Sequence, residues 1–219
     1  MKTTTKTKLS IVLNAIILLT TIGVVISYFF GNDGKYHIEP LFRFNLFTTD
    51  SNLLCAAAAA FMIPFEIRLL KKGTPVPRWV FLVKYVGTCA VTLTFFTVVC
   101  FLGPMMGFMD MVFGGTSIYM HFFGPILGFV SFCFLETSQP ISLPTSLIGL
   151  IPMLVYGGVY CYMVVILTAE RGGWIDFYQF NQGGYWYISF AVIMAAMFGF
   201  CSVIRLVHNR IAARSQKTP

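Results

Sequence analysis

Six apolar runs, each about 20 residues long, decide what this chain can fold into. They cover roughly residues 9–30, 47–70, 79–102, 117–135, 144–168 and 185–204. A run of this length with few charges crosses the hydrocarbon core of a bilayer as an α-helix. Hydrophobic residues make up 57% of the 219 residues and charged residues only 11%, unlike ordinary soluble domains. The sequence therefore predicts an all-α, polytopic integral membrane protein with one six-helix domain over residues 1–219.

The first run follows the basic segment MKTTTKTK, an arrangement that secretory signal peptides share. The run is longer than the apolar part of a typical signal peptide, and no small-residue cleavage site follows it. We expect this run to remain in the protein as a membrane-spanning helix.

Basic residues are distributed unequally between the two sides that six crossings define. The N-terminal tail, the segment after the second run and the C-terminal tail hold most of them: Lys2, Lys6, Lys8, Arg68, Lys71, Lys72, Arg78, Lys84, Arg205, Arg210, Arg214 and Lys217. The opposite side has only Lys35, Arg43 and Arg171. Because basic loops stay in the cytoplasm, both termini are predicted to be cytoplasmic. Anionic lipid at the membrane border accounts for the net charge of +7, so no nucleic-acid partner is expected.

The six cysteines all lie inside the apolar runs, and none of them has CxxC spacing. This pattern indicates neither a zinc site nor a disulfide framework, so we expect small buried hydrophobic residues. The chain also has no Gly-rich phosphate loop. Neither a metal nor an organic cofactor is therefore expected, membrane lipids are the expected partners, and the oligomeric state is left open.

The chain has three histidines: His37, His121 and His208. We expect His208 to be solvated at the membrane interface, because arginines flank it near the end of the last run. His121 lies about one turn inside the fourth run. Pro125 follows four residues later and has no N–H for the carbonyl of His121. In lipid such a carbonyl must face protein or a wet cavity, so His121 is predicted either to line a cavity or to bond a neighbouring helix.

The second run opens with polar residues in the segment FNLFTTDSNLL, residues 44–54. Four of its side chains share one helical face through their spacing: Thr48, Ser51, Asn52 and Cys55. This polar face is predicted to point into the bundle. Thr, Asp, Ser and Asn are also favoured where a helix begins, and the negative charge of Asp50 suits a helix N-terminus. A helix cap is therefore the alternative interpretation.

The second and fourth runs enter the membrane from the same side, so Thr48 and His121 are expected at a similar depth. A hydroxyl becomes a good nucleophile only when a base takes its proton, and a Thr/His pair meets this requirement. Thr49 lies about 100° from Thr48 around a helix, so only one of the two is expected to face His121. The more polar face favours Thr48.

Three windows carry a family resemblance: FNLFTTDSNLL, MHFFGPILGF and IPMLVYGGVY, in this order on the six-helix plan. In them the chain resembles the bacterial relatives of the androgen-induced and androgen-dependent membrane proteins. The animal members of that family are intramembrane threonine hydrolases that cleave fatty acid esters of hydroxy fatty acids. The resemblance implies Thr48 as the nucleophile, His121 as the base, and the bacterial cytoplasmic membrane as the location.

Further residues are candidates for supporting the site or binding substrate: Asn52, Ser51, Thr49, Asp50, Arg43, Tyr156 and Tyr160. Arg43 is placed to pair with a fatty-acid carboxylate, or else to anchor the interface. Tyr156 and Tyr160 share one face of the fifth run. They are placed to donate to an ester carbonyl oxygen, or else to pack between helices.

The function expected from the sequence is a lipid ester hydrolase with a fatty-acyl ester as its substrate. The alternative is a non-catalytic membrane protein that uses the same polar face to bind a ligand or partner. A lipid-binding protein, a small transporter and an assembly factor all belong to this second class.

Overall fold

The computed structural model describes residues 3–30 and 39–217, and the side chains of residues 4–30 and 39–214. Six helices are long and apolar enough to cross a membrane, and we number them α1 to α6. They are Thr4–Phe30 (α1), Phe47–Lys72 (α2), Arg78–Met106 (α3), Ile118–Leu135 (α4), Leu143–Ile166 (α5) and Trp186–Arg214 (α6). The described part of the chain contains no strand. The predicted all-α class with six spanning helices is confirmed, while Lys35 and His37 lie outside the described residues.

The helices alternate in direction, which gives the bundle two distinct ends. We call the end where α2, α4 and α6 begin the Thr48 end, and the end where α1 begins and α6 finishes the terminal end. The helices differ from the predicted runs mainly at the terminal end, where α1 begins at Thr4 and α6 continues to Arg214. Lys and Arg side chains can extend from a helix toward the membrane surface, so basic residues prolong these helices beyond the apolar runs.

The core of the bundle is built around α3. In its most apolar window 61% of residues are buried, against 22% in α1 and 17% in α6. Phe81 and Tyr85 of α3 pack against Phe132 of α4, with ring centroids 5.2 and 5.7 Å apart. The Tyr85 hydroxyl lies 3.1 Å from the carbonyl oxygens of both Ser146 and Cys201, which ties α3 to α5 and α6.

Two residues that the sequence predicts at the membrane border are fully buried. Lys84 of α3 is 0% exposed, and its Nζ donates to Asn14 Oδ1 at 2.5 Å. His208 of α6 is also 0% exposed and stacks on the Phe132 ring at 4.7 Å. The prediction of a solvated His208 is wrong, because α6 continues past this residue and turns the imidazole toward α4.

The cysteines follow the prediction in part. Four of them are buried, as expected for small hydrophobic residues: Cys55, Cys89, Cys133 and Cys201. Cys100 is exposed and Cys161 is half-buried. Both lie on outer faces of the bundle, where a membrane-spanning helix presents apolar side chains to lipid.

Candidate functional site

The first turn of α2 lies between two cavities, and Thr48 lines both. The polar cavity has a volume of about 60 Å³ and is lined by Tyr28, Arg43, Leu46, Thr48, Thr49, Thr116, Ser117, Met120 and His121. The apolar cavity has a volume of about 50 Å³. Its lining is Phe47, Thr48, Leu93, Thr94, Thr97, Val98, Leu102, Met153, Tyr156, Gly157, Tyr160, Tyr178, Phe180 and Ile193. Each cavity has room for a few water molecules.

Ser51 and Asn52 hold the first turn of α2 against two other helices. The Ser51 hydroxyl is hydrogen-bonded to the Thr94 hydroxyl of α3 at 2.7 Å. The Asn52 amide Nδ2 donates to the carbonyl oxygen of Thr48 at 2.8 Å and to that of Met120 in α4 at 3.0 Å. Both residues are buried, so the predicted polar face does turn into the bundle. Their polar groups are used in these contacts and position the turn that carries Thr48.

The polar residues at the start of α2 do not cap the helix. The N-cap position is Leu46, with an extended backbone and no side-chain hydrogen bond to the helix. Asp50, which the capping interpretation favoured most, lies inside the first turn and is exposed. The polar segment is therefore part of the helix rather than its cap.

His121 lies in a π-helical turn, Ile118–Phe123, at the start of α4. Three further π-helical turns occur in the described residues, at Val98–Leu102, Ser131–Leu135 and Tyr162–Ile166, so the turn fixes the position of His121 but does not by itself mark a site. Its Nδ1 lies 2.6 Å from the carbonyl oxygen of Met111, in the short helix Phe108–Phe113 that precedes α4. A carbonyl oxygen can only accept, so Nδ1 carries the proton and Nε2 of the neutral ring has a free lone pair. The imidazole is thus held in a tautomer that can act as a base at Nε2.

Arg43 also belongs to the polar cavity. It lies in the 3₁₀ helix Leu41–Asn45 that leads into α2, and its guanidinium lies 4.6 Å from the centre of the Tyr28 ring. A cation over an aromatic face is held by the negative face of the ring. The contact keeps a positive charge at the wall of the cavity that also contains Thr48 and His121.

Tyr156 and Tyr160 line the apolar cavity, and their hydroxyls bond to the protein itself. The Tyr156 hydroxyl donates to the carbonyl oxygen of Asn45 at 2.8 Å, and its ring packs on Phe47 at 5.0 Å. The Tyr160 hydroxyl donates to Asp176 at 3.1 Å. Both contacts fasten α5 to the segments around the Thr48 end, which agrees with the packing interpretation of these residues.

Tyr178, in the loop between α5 and α6, is a site residue that the sequence did not indicate. Its hydroxyl oxygen accepts the backbone N–H of Phe47 at 3.1 Å, in the first turn of α2. Burial raises the pKa of Tyr178 to about 12, and the hydrogen bond from the Phe47 N–H offsets part of that rise. Tyr178 and Thr48 both line the apolar cavity, so the neutral phenol of Tyr178 lies near Thr48.

Asp176 orders the loop that carries Tyr178. Its carboxylate accepts the backbone N–H groups of Phe180 and Asn181, both at 2.8 Å, as well as the Tyr160 hydroxyl. A carboxylate with several N–H donors fixes the path of a loop because each bond removes backbone freedom. The loop therefore closes the apolar cavity with an ordered wall.

The structure brings Thr48, Thr49, Arg43 and His121 together around the polar cavity. Within the described residues no hydrogen bond joins the side chains of Thr48 and His121. In the same part of the chain, no three His, Cys, Asp or Glu side chains are grouped so that they could hold a metal ion.

Comparisons of this chain with protein-family models, with curated proteins and with solved structures find no match.

Proposed function

We propose that this protein is an intramembrane hydrolase that cleaves ester bonds of fatty lipids, such as fatty acid esters of hydroxy fatty acids. The observation that carries the proposal is the position of Thr48, which lines both the polar cavity with His121 and the adjoining apolar cavity. An ester carbonyl beside Thr48 would have polar groups on one side and apolar side chains on the other.

In this mechanism Thr48 is the nucleophile and His121 is the base. Nε2 of the neutral His121 ring accepts the proton of the Thr48 hydroxyl as its oxygen attacks the ester carbonyl. The ester C–O bond breaks, and the imidazolium returns the proton to the leaving hydroxyl group. Water, deprotonated by the same ring, then attacks the acyl carbon. The bond from that carbon to the Thr48 oxygen breaks, the imidazolium returns the proton to this oxygen, and the fatty acid is released. The Met111 carbonyl keeps the ring in the required tautomer, as a carboxylate does in other hydrolases.

Arg43 supports the choice of an ester of a hydroxy fatty acid, because such a lipid keeps a free carboxylate. A guanidinium pairs well with a carboxylate, and Arg43 lies on the wall of the polar cavity. In the orientation that we propose, the basic residues at the terminal end are cytoplasmic. The polar cavity then lies at the outer leaflet of a bacterial cytoplasmic membrane.

Two neighbouring threonine variants test the nucleophile. In purified protein assayed for fatty-acid release, we expect Thr48→Ala to abolish ester cleavage and Thr49→Ala to retain most of it. The reason is that Thr48 lines both cavities, whereas Thr49 lines only the polar one. Thr20→Ala is a matched control, because its hydroxyl bonds to the Ile16 carbonyl within α1. The opposite pattern would make Thr49 the nucleophile, and cleavage by both variants would refute the threonine mechanism.

His121→Ala tests the base. Loss of a general base typically lowers the rate by about 10²- to 10⁴-fold, and we expect a folded protein with that loss. His121→Asn keeps a polar side chain of smaller size. Near-normal turnover in His121→Asn would assign His121 a structural role.

A second candidate is a lipid-binding protein that uses the same two cavities without chemistry. The observation that favours it is that no hydrogen bond joins Thr48 and His121 in the described part of the chain. A fluorophosphonate probe separates the candidates, because only an activated hydroxyl reacts with it. Labelling that is lost in Thr48→Ala supports the hydrolase. A folded wild-type protein that binds a fatty-acid ester without labelling or turnover supports the binding protein.

A further inference from the structure

A group of buried ionisable and polar side chains lies near the terminal end, separate from the proposed ester site. We call it the buried cluster, and it consists of Ser10, Asn14, Glu66, Lys84, Ser131 and Glu136. Each of these residues is at most 4% exposed. Glu66 follows Thr48 by 18 residues in α2, which corresponds to about 27 Å along the helix. The proposed ester hydrolysis makes no use of these groups.

The Asn14 amide brings the two carboxylates of the cluster together. Its Nδ2 donates to Glu66 Oε2 at 3.4 Å and to Glu136 Oε1 at 3.0 Å. Two carboxylate oxygens that share one donor must lie close to each other. Carboxylates at such a separation repel when both are ionised, and in a buried setting little water screens them.

Lys84 is a buried cation that contacts this carboxylate pair. Its Nζ lies 3.9 Å from Glu136 Oε1 and donates to Asn14 Oδ1. His208 also faces Glu136, and its ring nitrogens lie 3.2 and 2.9 Å from the carbonyl oxygens of Phe132 and Gln139. A neutral ring donates to one of these two carbonyls, and only a charged ring donates to both. Other titratable groups near the cluster or His208 are Cys55, Cys133 and Arg78. Lys84 can balance one of the two negative charges.

The hydrogen bonds of the Glu136 carboxylate give independent evidence for a bound proton. Glu136 Oε1 accepts hydrogen bonds from Ser10, Asn14 and Ser131. Glu136 Oε2 is buried and has no hydrogen-bond partner within the described residues. A buried charged oxygen without a donor carries the full cost of its lost hydration. A proton on the carboxylate pair removes one of the two negative charges and so lowers this cost.

We propose that the buried cluster is a proton-binding site in which Glu66 and Glu136 share one exchangeable proton from the water at the terminal end. With that proton bound, the two carboxyl groups together carry one negative charge, which Lys84 balances. Ionisable residues inside membrane-spanning bundles typically mark ion or proton pathways, and this site joins α1, α2, α3 and α4.

Infrared difference spectroscopy of the whole protein in lipid nanodiscs tests the proposal. At neutral pH we expect the C=O stretching band of a protonated carboxylic acid, shifted in heavy water and weakened as the pH rises. Glu66→Gln and Glu136→Gln should each remove the band, because the remaining carboxylate can stay ionised beside Lys84. Glu170→Gln is the matched control, since Glu170 is exposed in the loop after α5, and it should keep the band.

Absence of the band from the wild-type protein at neutral pH would overturn the proposal. Both carboxylates would then be ionised, with a charged His208 as the second cation. A band that persists in both Glu66→Gln and Glu136→Gln would also overturn it, because the proton would belong to another carboxyl group. The wild-type spectrum alone can refute the proposal, so the test remains decisive even if a variant fails to fold.

Discussion

Replacing Gly124 by alanine tests the close approach of α2 and α4 that forms the polar cavity. A Cβ atom on Gly124 would lie 2.8 Å from Asn52 Oδ1 and 3.0 Å from the carbonyl oxygen of Tyr119. The Tyr119 oxygen is backbone and cannot move without distorting the π-helical turn. Asn52 can move only by weakening its hydrogen bonds to the carbonyls of Thr48 and Met120. The added methyl group therefore disturbs the turn that carries the proposed nucleophile.

The expected destabilisation follows from opposing effects. Overpacking a tight contact costs about 1–3 kcal/mol, and a hydrogen bond lost between membrane helices adds about 0.6–1.7 kcal/mol. Alanine regains about 1 kcal/mol because it favours a helix more than glycine does. The free energy of unfolding should therefore fall by about 0.6–3.7 kcal/mol. For a chain of this size, each kcal/mol lowers Tm by about 2–4 °C.

Gly199→Ala provides the matched control, because a Cβ on Gly199 in α6 meets nothing within 4 Å. An alanine in such open space should leave stability unchanged or raise it by about 0.4–1 kcal/mol. The assay is thermal unfolding of both variants in the same detergent, followed by loss of helical circular dichroism. Equal Tm values for Gly124→Ala and Gly199→Ala would refute the close contact between α2 and α4.

Three further predictions concern the loop tyrosine, the orientation and the base. Burial raises the pKa of Tyr178 from 10.0 to about 12, so its stabilising contribution is complete below about pH 10 and is lost as the pH rises toward 12. Tyr178→Phe should therefore lose less thermal stability over that pH range than the wild-type protein, and an equal loss would contradict this account. A cysteine in place of exposed Glu170 should react with an impermeant thiol reagent in intact cells, whereas protection there with reaction at the C-terminus would invert the orientation. Nitrogen NMR of labelled His121 should find the proton on Nδ1 at neutral pH, and a proton on Nε2 would contradict its role as the base.

The six helices could be predicted because hydropathy over 20 residues is a strong and local signal. Their ends could not, since a basic helix end and a basic loop have the same composition. Lys84 illustrates the limit, because a lysine near a helix end usually extends toward the membrane surface. Its burial depends on Asn14 and Glu136, which come from other helices and are distant in sequence. No local pattern around Lys84 indicates those partners.

The location of the candidate site was predicted more fully than its contacts. The matched depth of Thr48 and His121 follows from helix direction alone, and both residues line the polar cavity. The group that orients His121 is the carbonyl of Met111, and a backbone carbonyl carries no signature in the sequence. The 100° angle between Thr48 and Thr49 predicts that only one of them faces His121. Both nevertheless line the cavity that contains His121. The contacts that backbone groups and loops make in the site could therefore not be predicted from the sequence.

The start of α2 explains why Thr48 is available to face the cavities. The N–H groups of Thr49 and Asp50 bond to the Leu46 carbonyl at 3.0 and 3.3 Å. The N–H of Phe47 donates to the Tyr178 hydroxyl, from a loop far along the chain. A helix N-terminus usually relies on its own Ser, Thr, Asp or Asn to satisfy such groups. Because Tyr178 supplies that acceptor here, the Thr48 side chain is not needed as a cap. Its hydroxyl can therefore lie at the boundary of the polar and apolar cavities, which is the position that the proposed chemistry requires.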